Sequence, residues 1–164
     1  MTMRPIEEQT ILVTGTTSGL GQELAQALAQ QGASLLVHAR DADRGPGLVR
    51  KIKEATGNHR IQFYRADLSS LAEVGELARQ VISDVARLDV LVMPTKMVLE
   101  AGWQTMSSVE EGLKATLRLV VDPALENVTG EYFDGLSLAK AKAQAYDKQA
   151  QQRLAALSQK LVSL

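Results

Sequence analysis

The chain has no cysteine, so disulfide frameworks, thiolate metal sites and cysteine nucleophiles are all excluded. Its two histidines, His38 and His59, lie in separate segments and do not suggest a histidine-built metal centre. No metal site is expected. An excess of either charge is also lacking, since 18 Lys and Arg face 19 Asp and Glu for a formal net charge of −1. Nucleic-acid binders usually carry a basic excess or stripe, so no nucleic-acid partner is expected. No apolar run approaches the ~18 residues of a membrane span, and residues 1–10 are too polar for a signal peptide. What remains is an ordinary globular composition of 164 residues, 45% hydrophobic and 23% charged. That length fits one domain burying roughly 70% of its unfolded surface, and a cytoplasmic location is the expectation.

Residues 1–93 alternate short apolar runs with longer helical patterns. Thr10-Ile11-Leu12-Val13-Thr14, Ser34-Leu35-Leu36-Val37-His38, Ile61-Gln62-Phe63-Tyr64-Arg65-Ala66 and Val90-Leu91-Val92-Met93 read as strands. The first and fourth are wholly apolar at their centres, as strands buried on both faces are. Between them run three helical stripes: Leu20, Leu24, Ala27 and Leu28, closed by Gly32; Leu48, Ile52 and Ala55, ending at Gly57-Asn58; and Leu71, Val74, Ala78, Val81 and Val85 after a capping box at Ser70 and Glu73. Three strand–helix units followed by a strand predict a Rossmann-like three-layer α/β/α fold with a parallel sheet. After Pro94 the pattern becomes irregular and carries the single Trp. A capping box at Ser107 and Glu110 then opens a helix with Leu113, Leu117 and Val120 on one face, ended by Asp122-Pro123. Glu131-Tyr132-Phe133 reads as a short strand. From Leu138 onward the chain is predicted to be helical, with Leu154, Leu157, Leu161 and Leu164 spaced to dock on the chain's own domain.

The chemistry-bearing motif is Thr14-Gly15-Thr16-Thr17-Ser18-Gly19-Leu20-Gly21, between the first strand and the first helix. Gly15 allows a tight exit from the strand, Gly19 a close backbone approach to a pyrophosphate, and Gly21 close packing of the helix. Amides at the helix start, aided by the helix dipole, favour a phosphate, and Thr16, Thr17 and Ser18 add hydroxyl donors. This TGxxxGxG spacing, in its strand–turn–helix setting, resembles the short-chain dehydrogenase/reductase family. The resemblance implies a nicotinamide dinucleotide cofactor held by Gly15, Thr17, Ser18, Gly19, Leu20 and Gly21. His38-Ala39-Arg40 follows the glycines by about 20 residues, where an acidic residue would accept from a free ribose 2′-hydroxyl. Here Ala39 takes the acidic slot and Arg40 stands beside it. A guanidinium suits a 2′-phosphate, so NADP is expected over NAD. Asp67-Leu68 resembles the family's pair at the adenine, and Thr95 resembles its nicotinamide-contacting Thr.

The family's acid/base machinery has no counterpart. The resemblance implies an Asn-Ala-Gly-like turn after the fourth strand, a Ser after the fifth, and a Tyr-x-x-x-Lys pair on the next helix, where i, i+4 spacing puts both on one face. After Val92 this chain reads Met93-Pro94-Thr95. The fourth residue after Tyr64, Tyr132 and Tyr146 is Leu68, Leu136 and Ala150, respectively. No catalytic residue is assigned. Residues 94–164 resemble instead the family's carboxyl-terminal end, joined to the dinucleotide half (1–93) near Val92–Pro94 within one domain. The sheet is accordingly expected to be truncated, at four to five strands instead of seven. A six-stranded sheet at ~30 residues per strand–helix unit needs about 180 residues, more than the 164 present. The truncation is also expected to expose the fourth strand's edge, and no oligomeric state carries over.

Three functional readings follow. One is an oxidoreductase by lineage, acting on a small carbonyl or alcohol if a full site exists and inactive as written. The second is a non-catalytic cofactor-binding or protein-interaction module. The third is a non-contiguous form of an active enzyme whose middle segment lies outside this chain. The substrate is not legible, because the segments that would select it are missing.

Overall fold

In a computed structural model of the chain, the described residues are 4–94 and 108–162. They fall into two compact units, Met1–Glu126 and Asn127–Leu164.

The first unit carries β1 (Thr10–Val13), α1 (Gly19–Gln30), β2 (Ser34–Ala39), α2 (Arg44–Thr56), β3 (Ile61–Arg65), α3 (Leu71–Asp84), β4 (Val90–Val92) and α4 (Val109–Val121). The strands form one parallel sheet in the order β3-β2-β1-β4. This is the expected Rossmann-like α/β arrangement, with four parallel strands. The central strands are nearly all apolar because both of their faces are covered. Ile11, Val13, Leu35, Val37 and Ile61 pack against Leu24 and Leu28 of α1, Leu48 and Ile52 of α2, and Val120 of α4. On the opposite face Leu12, Leu36 and Tyr64 pack against Leu77 and Val81 of α3. Together these form three layers.

Local chemistry sets the helix limits. Gly32 (φ +84°) and Gly57 (φ +69°) follow α1 and α2 in the left-handed region that glycine adopts without a Cβ penalty. Ser70 caps α3 by accepting from the Glu73 amide. The Ser108 hydroxyl accepts from the Glu111 amide while the Glu111 carboxylate accepts from the Ser108 amide. The capping box of α4 therefore lies one residue beyond the expected Ser107–Glu110 pair. The stripe on α3 is also rotated. Leu77 is buried, whereas Leu71 and Ala78 are exposed. Turning Leu77 rather than Ala78 toward the sheet removes more apolar surface from water.

In the second unit, Tyr132–Asp134 (β5) pairs antiparallel with Ser137–Ala139 (β6). The two-residue turn places Gly135 (φ +58°) first, as a type II′ hairpin turn requires. The short strand was expected, but its partner occupies residues predicted to be helical. Helix α5 (Lys148–Val162) starts ten residues later than Leu138, where Asp147 accepts from the Gln149 and Ala150 amides. On this helix Leu154 and Leu157 are 66% and 54% exposed.

Candidate functional site

The carboxyl ends of β1, β2 and β3 bring most of the sequence-singled residues to one rim of the sheet. Where β1 ends, the Thr14 amide donates to the Val92 carbonyl at 3.0 Å, so the loop leaves the sheet anchored to β4. Gly15 (φ +64°) makes the turn, and Gly19 (φ +57°) makes a second left-handed turn at the start of α1. A Cβ at Gly21 would lie 2.5 Å from the Gly15 carbonyl oxygen and 3.2 Å from that of Thr14. The third glycine therefore lets the first turn of α1 press against the loop's own backbone. A Cβ at Gly15 would lie 3.8 Å from the Pro94 carbonyl oxygen, so the exit of β4 borders the loop.

The first turn of α1 differs from the other helix starts. Asp41, Ser70, Ser108 and Asp147 each accept from an amide at the start of α2, α3, α4 and α5, respectively. Ser18 makes no such side-chain cap on α1, and its first turn, like those of α2 and α5, holds no acidic residue. Among the described residues no side chain caps the first-turn amides of α1, and with the positive end of the helix dipole they make an environment suited to an anion.

Thr16 does not serve as expected. It is fully buried, and both its amide and its hydroxyl donate to the His38 carbonyl at 3.1 Å, so it pins the loop to β2. The adjoining Thr17 remains at the surface beside Gln22 of α1. With Asp43, Arg44, Leu48 and Lys51 these line a pocket of about 270 Å³. Arg44 and Lys51 were not singled out from the sequence. Their signal was the 3–4 spacing that puts residues 44, 48 and 51 on one face of α2.

At the end of β2, His38 is buried and its Nε2–H donates to the Ala66 carbonyl at 3.0 Å. Burial pushes this imidazole below its ordinary pKa, against a smaller upward pull from the Ala66 bond. Ala39 is buried, while Arg40 is exposed with no hydrogen bond or ion pair to its guanidinium among the described residues. The Asp67 carboxylate accepts from the Ser69 hydroxyl (2.7 Å) and amide (3.0 Å), and these bonds hold it below the usual carboxylate range. The positive charges of Arg40 and Arg65 act in the same direction. Glu73 fixes the loop by accepting from the Asp67 amide at 2.9 Å and pairing with Arg65 at 3.3 Å. Leu68 is partly exposed beside it. Thr95 lies outside the described residues.

The Tyr64 hydroxyl lies 2.9 Å from both the Gln62 side-chain oxygen and the Asp84 carboxylate, which share its one proton. Burial, then the Asp84 bond and charge, push its pKa up to about 12. The Tyr146 hydroxyl accepts from the Ala141 amide. Among the described residues no cluster of three or more metal-ligating side chains occurs, and no helix is long and apolar enough to cross a membrane.

The family model for short chain dehydrogenases matches residues 9–128. Retinol dehydrogenase 13 of Mus musculus is 32% identical over 105 residues, covering 64% of this chain and 31% of that protein. D-beta-hydroxybutyrate dehydrogenase of Cupriavidus necator is 36% identical over 104 residues, or 63% of this chain and 37% of that protein. This chain thus spans about a third of the length of these curated relatives. Among solved structures, a short chain dehydrogenase from Shigella flexneri 2a superposes with a TM-score of 0.52 at 26% identity, over 57% of this chain and 42% of that one. The Pseudomonas aeruginosa RhlG/NADP active-site complex superposes with a TM-score of 0.50 at 36% identity, over 59% of this chain and 40% of that one. The glycine loop, the 3-2-1-4 strand order and a family match that runs through α4 place this chain in the short-chain dehydrogenase family.

Proposed function

We propose that this chain binds NADP(H) in preference to NAD(H) along the rim formed by the glycine loop, Arg40 and the Asp67–Leu68 turn. The observation that carries this reading is the pairing of an uncapped α1 amino end with a glycine cradle that a Cβ at Gly21 would fill. In this reading the amides of Gly19, Leu20 and Gly21 and the side chains of Thr17 and Ser18 hold the pyrophosphate. The Arg40 guanidinium, with Ala39 leaving room beside it, holds the ribose 2′-phosphate, and Arg44 and Lys51 add positive charge across the nearby pocket. Asp67 and Leu68 border the adenine, and Thr95 the nicotinamide. Residues 1–93 act as the dinucleotide half and 94–164 as a family-like remnant. The family's reaction is hydride transfer between the nicotinamide and a carbonyl or alcohol. This chain would not perform it alone, because burial, with Asp84 adding to it, holds Tyr64 protonated and no Tyr-x-x-x-Lys pair exists.

Titration of NADPH fluorescence tests the reading. Binding at micromolar concentration without carbonyl reduction is expected, and Arg40→Asp should weaken NADPH about 10- to 100-fold, the worth of a charge-assisted bond, while NADH holds or gains. Failure to bind either cofactor, or an Arg40→Asp variant with unchanged preference, refutes it.

A second reading draws on β4. Leu91 and Met93 are 53% and 61% exposed at the sheet's edge, as expected if further strands complete an active enzyme or a partner covers the edge. Comparing the intact protein mass with its coding sequence distinguishes a chain joined at Val92–Met93 from one with an intervening segment.

A further inference from the structure

Helix α5 carries two features that the cofactor rim does not use. Leu154 and Leu157 stand exposed on one face, and Leu161 and Leu164 continue the same 3-4-3 spacing in the sequence. Around this stripe the charge is one-sided. Residues 140–162 hold Lys140, Lys142, Lys148, Arg153 and Lys160 against a single carboxylate, Asp147, in a chain that is net −1 overall. That carboxylate is committed, since Asp147 accepts from the Gln149 and Ala150 amides that open the helix. No ion pair involving these five cations is found among the described residues. At 3.6 residues per turn, Arg153 and Lys160 fall on the flank of the leucine stripe, where long stems lie along apolar surface while their charges reach outward.

We infer that α5 is a docking helix for an anionic membrane surface, lying in the headgroup plane with Leu154 and Leu157 immersed. An amphipathic helix of low net hydrophobicity, with leucines on one side and cations flanking them, is a form such surfaces bind. Charge complementarity selects this occupant. A second copy of α5 would set Arg153 and Lys160 against each other, or against Gln151 and Ser158, with no carboxylate to pair. A single acidic site on a protein would reward one or two cations, whereas a diffuse anionic plane rewards all five. Tyr146 is exposed at the approach to the helix and adds a ring suited to the same wet–apolar boundary.

The test is sedimentation of the full chain with vesicles of mixed phosphatidylserine and phosphatidylcholine, beside vesicles of phosphatidylcholine alone. Binding to the anionic vesicles is expected, weakening as salt rises, with little binding to the neutral ones. Each cation near such a surface is worth about fivefold in partition, so Arg153→Gln with Lys160→Gln should bind about 25-fold more weakly. Leu154→Ser with Leu157→Ser should lose at least about tenfold. Both changes lie on exposed positions, and an unchanged thermal midpoint confirms that each variant is folded. Equal binding to both vesicle types, binding to neither, or unchanged binding by the two double variants overturns the proposal. Self-association abolished by the leucine variant, or capture of an acidic polypeptide, also overturns it if the anionic vesicles are not bound.

Discussion

Replacing Gly21 with alanine sets two known effects against each other in one helix. Alanine in a helix interior is favoured over glycine by up to about 1 kcal/mol, so a tolerant site would gain stability. At Gly21 the added Cβ would sit 2.5 Å from the Gly15 carbonyl oxygen, below the 3.0 Å that real contacts respect, so about 0.5 Å of backbone movement is needed. The atoms in the way belong to a loop tied down by the Thr14–Val92 and Thr16–His38 bonds, and they yield less readily than a flexible side chain. Overpacking of this kind costs about 1–3 kcal/mol, which against a gain of about 1 leaves a net loss of about 0–2 kcal/mol and a thermal midpoint lower by up to roughly 10 °C. The control is Gly112→Ala in α4, where the new methyl would meet the Leu20 methyls at an ordinary 3.7 Å. That variant should be as stable as the parent or more so. Thermal unfolding by circular dichroism reads both, and NADPH titration should show at least about a tenfold weaker complex for Gly21→Ala alone. A Gly21→Ala protein whose midpoint rises with that of Gly112→Ala would refute the reasoning.

The tyrosine and histidine make predictions at opposite ends of the pH scale. Tyr64 ionises at about 12 in the folded chain against about 10 unfolded. Its contribution is therefore complete below pH 10 and is lost as pH rises from about 10 to 12, which unfolding at stepped alkaline pH would record. Tyr64→Phe should cost about 1 kcal/mol at neutral pH and flatten that alkaline loss; an equally steep loss in the variant would refute the assignment. His38 behaves inversely, since burial lowers its pKa below 6.5. The unfolded chain takes up a proton first, so stability should fall as pH drops below about 6.5. An NMR titration showing the His38 ring protonated at or above pH 6.5 in the folded protein would contradict this.

Much of the first unit was legible because burial on both faces leaves a distinctive mark. Runs such as Ile11-Leu12-Val13 and Leu35-Leu36-Val37 have no polar alternation, and Gly32 and Gly57 mark two helix ends through the positive φ they adopt. The loop glycines were readable for the same reason, since their positions answer to backbone geometry. Thr16 was misread because residue type alone does not say whether a hydroxyl faces a ligand or a neighbouring strand. The face of α3 was misread because two stripes share Val81, and the sequence does not choose between Leu77 and Ala78 as their companion. In the second unit the hairpin's return strand escaped notice. Ser137-Leu138-Ala139 is too short to show a period of two, and its Ala- and Lys-rich continuation favours helix on propensity alone.

The order of the strands also fixes where the sheet opens first. β1 and β2 are hydrogen-bonded to neighbours on both sides, whereas among the described residues β4 pairs with β1 alone, through three residues. Amide protons of β1 and β2 then wait for the whole unit to unfold before they exchange, while those of β4 are released by a local event of much lower free energy. Because the Val92 carbonyl takes the Thr14 amide, each such event also frees one end of the glycine loop. The loop's rigidity is thus set by the weakest strand of the sheet, and a molecule that gripped β4 from outside would stiffen the loop without touching it.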